Sequence, residues 1–176
     1  MEQKSAVEFR AEKIYKNSRE KFGYLLREIV SNAIHSTIIR LEHESETTYR
    51  PVINIEIKTD EKSADIFIKD NGEGFNTHNR KCFTRLDYKN PEKETLYLYP
   101  QGQGRLSLVF FTDSAQYTST YKDSKGTFWE TTFPYPEFGD DSLFDIENGE
   151  GVLSDTRETG TQLTLRIVNQ LTYGRA

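Results

Sequence analysis

The sequence contains one cysteine, Cys82, among its 176 residues, which excludes an internal disulfide and any metal site built from several cysteines. We interpret Cys82 as a small apolar side chain of the core. No apolar run approaches the roughly 20 residues that a membrane-spanning helix needs. Residues Met1 to Ser5 also lack the apolar core of a signal peptide. We therefore expect a cytoplasmic chain with no membrane partner.

Positive charge is the scarcer sign, since basic residues number 23 against 28 acidic ones and the net charge is −5. This balance argues against binding a nucleic-acid backbone through a broad electrostatic surface. The length suits one hydrophobic core, and two full domains would be crowded. The sequence therefore predicts a single domain over residues 1–176.

The strongest helical pattern runs from about residue 18 to residue 43, where apolar side chains recur every three or four positions. The polar side of this helix carries Glu28, Asn32 and His35 in one stripe. Such a stripe is either a solvated face or a place where an acid and an amide reach one bound ion or water. Residues 5–17 show no clean period and predict only a short element or arm.

An alternating strand over residues 64–69 runs directly into Asp70-Asn71-Gly72-Glu73-Gly74. The end of the strand places the carboxylate of Asp70 on rigid backbone, and the glycines permit a turn or a close backbone approach. The same residues also fit an acidic turn between two strands. An alternating run at 52–58 predicts a hairpin partner for this strand.

A long polar connection follows from residue 76 to residue 101, and we predict that it is a moving segment. Gly102, Gly104 and Arg105 then open an apolar run of helical spacing. Free backbone N–H groups at the start of a helix suit a phosphate. The glycines can equally serve only to turn the chain.

Alternating runs at 115–121 and 127–133 predict a second hairpin, and residues 160–168 predict a last strand that closes the sheet. Together these segments predict an α+β fold. We expect a two-layer sandwich, in which a mostly antiparallel mixed sheet carries helices on one face.

Four of these segments, in this order, resemble the motifs of the GHKL superfamily of ATP-binding domains. That superfamily has the Bergerat fold and includes Hsp90, type II topoisomerases, MutL proteins, MORC proteins and sensor histidine kinases. Residues 26–33 (LREIVSNA) are similar to the N-box, especially in its Hsp90 form. Residues 70–74 match the first glycine box, residues 102–105 match the second, and residues 160–161 match the last motif.

The resemblance implies a role for each matching residue. Glu28 would be the catalytic base, Asn32 would hold Mg²⁺, and Asp70 would accept a hydrogen bond from the adenine amino group. The other nucleotide-binding residues would be Gly72, Gly74, Gly102, Gly104, Arg105 and Thr161. Residues 76–101 would form the ATP lid.

The implied activity is magnesium-dependent binding and slow hydrolysis of ATP, with ATP and ADP as ligands. A lid ordered by nucleotide would control association with a second copy, as a homodimer, or with downstream domains of a longer chain. Two alternatives are a histidine-kinase-like domain that transfers the γ-phosphate and a sensor that binds ATP without hydrolysis. His35 stands where many relatives carry an acid, and Lys89 and Lys93 are candidates for contacting the terminal phosphate by location alone.

Overall fold

The computed structural model describes residues 6–16, 21–44, 48–84, 90–96, 98, 106–135 and 151–168. These residues form five helices and six strands, which are, in chain order, α1 (Ala6–Tyr15), α2 (Lys21–His43), β1 (Ile53–Thr59), β2 (Ser63–Asp70), α3 (Thr77–Thr84), α4 (Pro91–Thr95), α5 (Leu106–Phe111), β3 (Ser114–Lys122), β4 (Phe128–Tyr135), β5 (Val152–Leu153) and β6 (Gly160–Val168). The predicted α+β class is confirmed.

The strands form one open sheet in the order β1-β2-β6-β3-β4-β5. All five pairings among the described strands are antiparallel, so the expected mixed sheet is not observed there. The last strand, β6, completes the sheet from its centre, where it pairs with both β2 and β3. Alternation in the sequence showed which side of β6 is buried, but it carried no information about its neighbours.

One face of the sheet packs against the helices and forms the core. Strands β2, β3, β4 and β6 direct alternate buried side chains towards α1, α2 and α5. The main core residues are Leu25, Ile29, Ala33, Ile66, Ile68, Leu106, Phe111, Tyr117, Phe133, Leu163 and Leu165. The described residues therefore form two layers, as predicted.

The N-terminal helix α1 was not predicted as a helix. Among its described side chains only Ala11 and Tyr15 are buried, too few to give a period. The ring of Tyr15 meets the ring of Phe111 edge to face at 5.1 Å, so α1 supports α5. The predicted start of the long helix falls on residues 17–20, which lie outside the described part of the chain.

The connection over residues 76–101 contains α3 and α4, so it is partly helical. Asn90 caps α4, since its Oδ1 accepts a hydrogen bond from the amide of Glu92 (3.0 Å) and Pro91 occupies the first turn. Phe83 anchors α3, because its ring packs edge to face against the rings of Phe75 and Tyr117, with 5.0 Å and 5.4 Å between ring centres. Within the described part of the predicted lid, α3 is thus attached to the sheet.

Candidate functional site

A cavity of about 410 Å³ lies beside α2 over the helix-facing side of the sheet. Five of the predicted catalytic and nucleotide-binding residues line it, namely Glu28, Asn32, Asp70, Gly74 and Thr161. They come from α2, from the end of β2 and the loop after it, and from β6. Apolar and aromatic residues form much of the remaining wall, namely Ile39, Ile68, Phe75, Phe83, Tyr117 and Leu163. The lining thus combines this apolar wall with many polar groups, so it can hold a small molecule that has both apolar and polar parts.

The carboxyl group of Asp70 lies at the floor of this cavity, and 7% of the residue is exposed. Its Oδ1 accepts a hydrogen bond from the amide of Gly72 (2.8 Å), and the carboxylate also accepts bonds from the Thr161 amide and the Ser36 hydroxyl. Burial raises the pKa of Asp70 to about 6, because these bonds offset the loss of water only in part. Asp70 can therefore present an acceptor oxygen to a donor on a ligand.

The glycines after Asp70 are required by close packing. A Cβ atom on Gly72 would lie 2.2 Å from the Oγ of Ser36, so no side chain fits between this loop and α2. Gly74 has a φ of +74°, and a Cβ there would lie 2.2 Å from the carbonyl oxygen of Thr120. Gly74 lines the cavity, whereas Gly72 is not among its lining residues. The two glycines hold the loop between α2 and β3.

Thr161 lies opposite Asp70 in the β2–β6 pairing and opposite Ser119 in the β3–β6 pairing. Its Oγ1 is 3.2 Å from the Oγ of Ser119, which donates a hydrogen bond to the carbonyl of Gly160 (3.1 Å). The same Ser119 Oγ accepts a hydrogen bond from the amide of Phe75 (2.8 Å). This network fixes the loop after β2 to the centre of the sheet.

Two of these groups, Ser36 and Ser119, were missed in the sequence. A signal existed for Ser119, because it occupies an inward position of β3 between Tyr117 and Tyr121, both of which are buried. A hydroxyl on the buried side of an alternating strand needs a partner. Nothing in the pattern of α2 distinguished Ser36 from a solvated serine.

At the other end of the cavity, the carboxylate of Glu28 is paired with its sequence neighbour Arg27. The Nη2 and Nε atoms of Arg27 lie 2.7 Å and 3.2 Å from Oε1 of Glu28. This hydrogen bond raises the pKa of Arg27. The ring of Tyr24 supports the guanidinium from 4.8 Å. Glu28 thus faces the cavity with one oxygen engaged.

Lys93 enters the cavity from α4. Its Nζ donates a hydrogen bond to Oδ1 of Asn32 (3.3 Å). Burial lowers the pKa of Lys93 to about 8, although the charge of Glu28 opposes this shift. Burial, together with the charge of Lys93, lowers the pKa of His35 to about 4, so this imidazole is neutral at pH 7. Lys93 thus supplies a cation beside the two predicted α2 residues.

His43, in the last turn of α2, links the glycine loop to α4. Its Nδ1 contacts Oε1 of Glu73, and its Nε2 lies 2.8 Å from Oε1 of Glu92. Burial alone would lower the pKa of His43, but the hydrogen bond to Glu73 and the charges of Glu73, Glu92 and Glu42 raise it. The protonated imidazole therefore bridges two carboxylates, one from the glycine loop and one from α4, and we call this contact the His43 clasp.

Several predicted site residues lie outside the described residues, so the structure does not report on them. They are Gly102, Gly104, Arg105 and Lys89. The same holds for residues 85–89, 97 and 99–101 of the predicted lid.

No protein-family model matches the chain, and no curated protein is significantly similar to it. Among the described helices, none combines the length and the apolar character needed to cross a lipid bilayer. Within the described part of the chain, no group of three His, Cys, Asp or Glu side chains is placed to hold a metal ion.

Proposed function

We propose that this chain is an ATP-binding domain of the GHKL type, with the Bergerat fold, that hydrolyses ATP slowly with Mg²⁺. The observation that carries the proposal is the convergence of Glu28, Asn32, Asp70, Gly74 and Thr161 on one cavity. If the stripe on α2 were only a solvated face and the residues after β2 only an acidic turn, nothing would require both to line the same cavity. The cavity volume of about 410 Å³ also falls within the range of small-ligand sites.

In this proposal, the base of the nucleotide binds at the Asp70 end of the cavity. The ionised carboxylate would accept a hydrogen bond from the exocyclic amino group of adenine. Three protein donors already bond this carboxylate, so a ligand without the amino group would leave its remaining acceptor position unfilled in a buried site, which carries a cost. Thr161 and Ser119 would hold Asp70 and the loop in place, and the apolar wall around Ile68 and Leu163 would contact the ring.

The phosphates would lie towards α2 and α4, where Lys93 supplies positive charge. Mg²⁺ bound to a nucleotide takes most of its ligands from phosphate oxygens and water, so one protein oxygen suffices. Asn32 would meet this requirement, because the residue lines the cavity and its Oδ1 keeps a second lone pair besides the one that accepts the hydrogen bond from Lys93. When bound, the ion would neutralise phosphate charge.

Hydrolysis in this proposal needs a water molecule held by Glu28. The water oxygen would attack the γ-phosphorus as the bond to the β-phosphate oxygen breaks, and the water proton would pass to the Glu28 carboxylate. The products are ADP and inorganic phosphate. Lys93 would remain near the transferred group as a cation.

A second candidate, an ATP sensor without hydrolysis, is favoured by the pairing of Glu28 with Arg27. A carboxylate that is hydrogen-bonded to a guanidinium at 2.7 Å is less available to accept a proton from water. If the pair persists with nucleotide bound, the domain would bind ATP and change its associations without turnover.

The test is titration of ATP with Mg²⁺ by calorimetry, combined with measurement of phosphate release. We expect Asp70→Asn to abolish detectable binding, whereas Glu28→Gln keeps binding and loses turnover. Asp65→Asn, on the other side of β2, and Glu42→Gln, elsewhere on α2, are matched controls that should behave as the parent.

The outcomes separate the two candidates. Binding without phosphate release in the parent chain supports the sensor. Unchanged binding by Asp70→Asn contradicts the proposed adenine site, and unchanged turnover by Glu28→Gln contradicts the proposed base.

A further inference from the structure

The two outer strands of the described sheet are protected to different degrees. Strand β5 has two residues, and a strand this short offers little backbone to a partner. Strand β1 has seven residues, contains no proline, and pairs with β2 without a bulge from Ile53 to Thr59. No described strand pairs with its outer side. A long and regular edge of this kind is suited to pairing with another strand.

The hydrogen bonds at the two ends of β1 show which backbone groups point outwards. The amide of Asp60 donates to the carbonyl of Ser63 (3.0 Å), and the amide of Asn71 donates to the carbonyl of Val52 (3.2 Å). Because hydrogen-bonded positions alternate in an antiparallel pair, the backbone N–H and C=O groups of the even-numbered residues of β1 point towards β2. The amides and carbonyls of Ile55, Ile57 and Thr59 therefore point away from the sheet.

The side chains of β1 divide in the same alternating way. Ile55 and Ile57 lie on the helix-facing side of the sheet but remain 46% and 44% exposed. Glu56 and Lys58 lie on the opposite side, with 3.1 Å between Oε1 and Nζ. The ammonium of Lys58 also lies 5.0 Å from the centre of the Phe67 ring. The edge thus presents an apolar strip on one side and a pair of opposite charges on the other.

We propose that β1 pairs with β1 of a second copy of this chain, antiparallel and with Ile57 on the two-fold axis. In this register Glu56 of each copy lies directly opposite Lys58 of the other, and both pairs attract. The outward amide of Ile57 in each copy donates a hydrogen bond to the outward carbonyl of Ile57 in the other. The apolar strips also become continuous across the axis.

Charge selects this register over the two others that overlap most of the strand. A two-fold axis at Glu56 would set Glu56 against itself, and like charges directly opposite each other are destabilising. An axis at Ile55 would set Glu56 against Asn54 and Lys58 against Val52, so neither charge would find its opposite. The preference for a second copy over an unrelated strand rests on this self-complementarity.

This inference does not depend on nucleotide binding. Because one strand contributes the contact, we expect a weak dimer that forms only at high protein concentration. Sedimentation equilibrium of the whole chain over a wide concentration range measures it without nucleotide. A chain that stays monomeric at all concentrations would overturn the proposal.

Charge reversal tests the register. Glu56→Lys alone sets two lysines opposite each other, and Lys58→Glu alone sets two glutamates opposite each other. We expect each variant to raise the dimer dissociation constant about tenfold. An equimolar mixture of the two variants restores both attractive pairs, so it should form a heterodimer as strong as the parent dimer. Parent-like dimers of either variant alone, or a mixture that does not recover, would contradict the register.

Ile57→Pro tests the role of the backbone, because it removes an outward N–H group and leaves the ladder with β2 intact. We expect loss of the dimer with an unchanged circular dichroism spectrum. If the folded proline variant dimerises like the parent, a different surface is responsible. The charge-reversal mixture decides the question should the proline variant not fold.

Discussion

The raised pKa of Asp70 gives the proposed site a measurable pH dependence. Its carboxyl group is buried at the cavity floor, and its pKa is about 6. An ionised carboxylate accepts a hydrogen bond from adenine more strongly than a neutral one. We therefore predict that ATP affinity, measured by calorimetry, falls as the pH is lowered through 6 and is about tenfold weaker at pH 5 than its plateau above pH 7. A flat profile would show that ionised Asp70 does not govern binding.

Stability without ligand provides the control for this assignment. The folded pKa of Asp70 exceeds its usual 3.8, so the unfolded chain loses this proton first. The contribution of Asp70 to the free energy of unfolding is therefore largest below pH 3.8 and decreases as the pH rises to about 6. The difference in stability between the parent and Asp70→Asn should change over this window and stay constant above it.

Lys93 should distinguish the phosphate end of the cavity from the base end. Its ammonium hydrogen-bonds to Asn32 at 3.3 Å, about one helical turn before Ser36, which meets the glycine loop. We predict that Lys93→Met weakens ATP binding by about tenfold, the loss of one charge-assisted hydrogen bond, and leaves adenosine binding unchanged. Lys69→Met, on the exposed side of β2, is the matched control. Equal loss for both ligands would assign Lys93 a structural role.

Among the larger elements, the loop after β2 is fixed by the approach of Gly74 to β3. Gly74→Ala must accommodate both a φ of +74° and a Cβ atom 2.2 Å from a carbonyl oxygen. Gly126, in the β3–β4 turn, has a similar φ of +84°, but its Cβ would meet only Lys122, at 3.7 Å. We predict that Gly126→Ala costs about 1 kcal/mol in the free energy of unfolding, whereas Gly74→Ala costs about 1 to 3 kcal/mol more. Urea denaturation measures both, and equal losses would show that the loop moves freely.

The clasp formed by His43 predicts a second pH effect, in the position of α4. The imidazole contacts Glu73 and Glu92, and these carboxylates and the charge of Glu42 raise its pKa above the usual 6.5. The interaction is therefore complete below pH 6.5 and is lost as the pH rises through the raised pKa. We expect amide exchange in α4, corrected for intrinsic rates, to be slower at pH 6 than at pH 8. In the His43→Gln variant, the amides of α4 should exchange faster than in the parent at pH 6, and their corrected rates should be equal at pH 6 and pH 8.

The sequence predicted the elements better than it predicted their contacts. The spacing on α2 and the end of β2 placed Glu28, Asn32 and Asp70 on the right elements, because helix and strand periods are local properties. The sequence did not decide whether Lys93 reaches the cavity, because a lysine in a polar connection belongs to no periodic pattern. The clasp of His43 also depends on residues that meet only in the folded chain. Contacts of this kind follow from packing, which one sequence does not encode in a readable pattern.

The sheet as a whole should unfold as one unit, because β6 joins the β1–β2 hairpin to the β3–β4 hairpin from the centre. Ile66, in β2, is fully buried, whereas the sole tryptophan, Trp129, lies in β4 with two strands between them. We predict that Ile66→Ala lowers the free energy of unfolding by about 2 to 5 kcal/mol, the cost of a core cavity. The loss should appear in full in the urea transition of Trp129 fluorescence, with an unchanged slope. Ile34→Ala, at a side chain that is 42% exposed, should change it by only about 0.5 kcal/mol. If Ile66→Ala shifts the circular dichroism transition but not the tryptophan transition, the two hairpins unfold separately and β6 does not couple them.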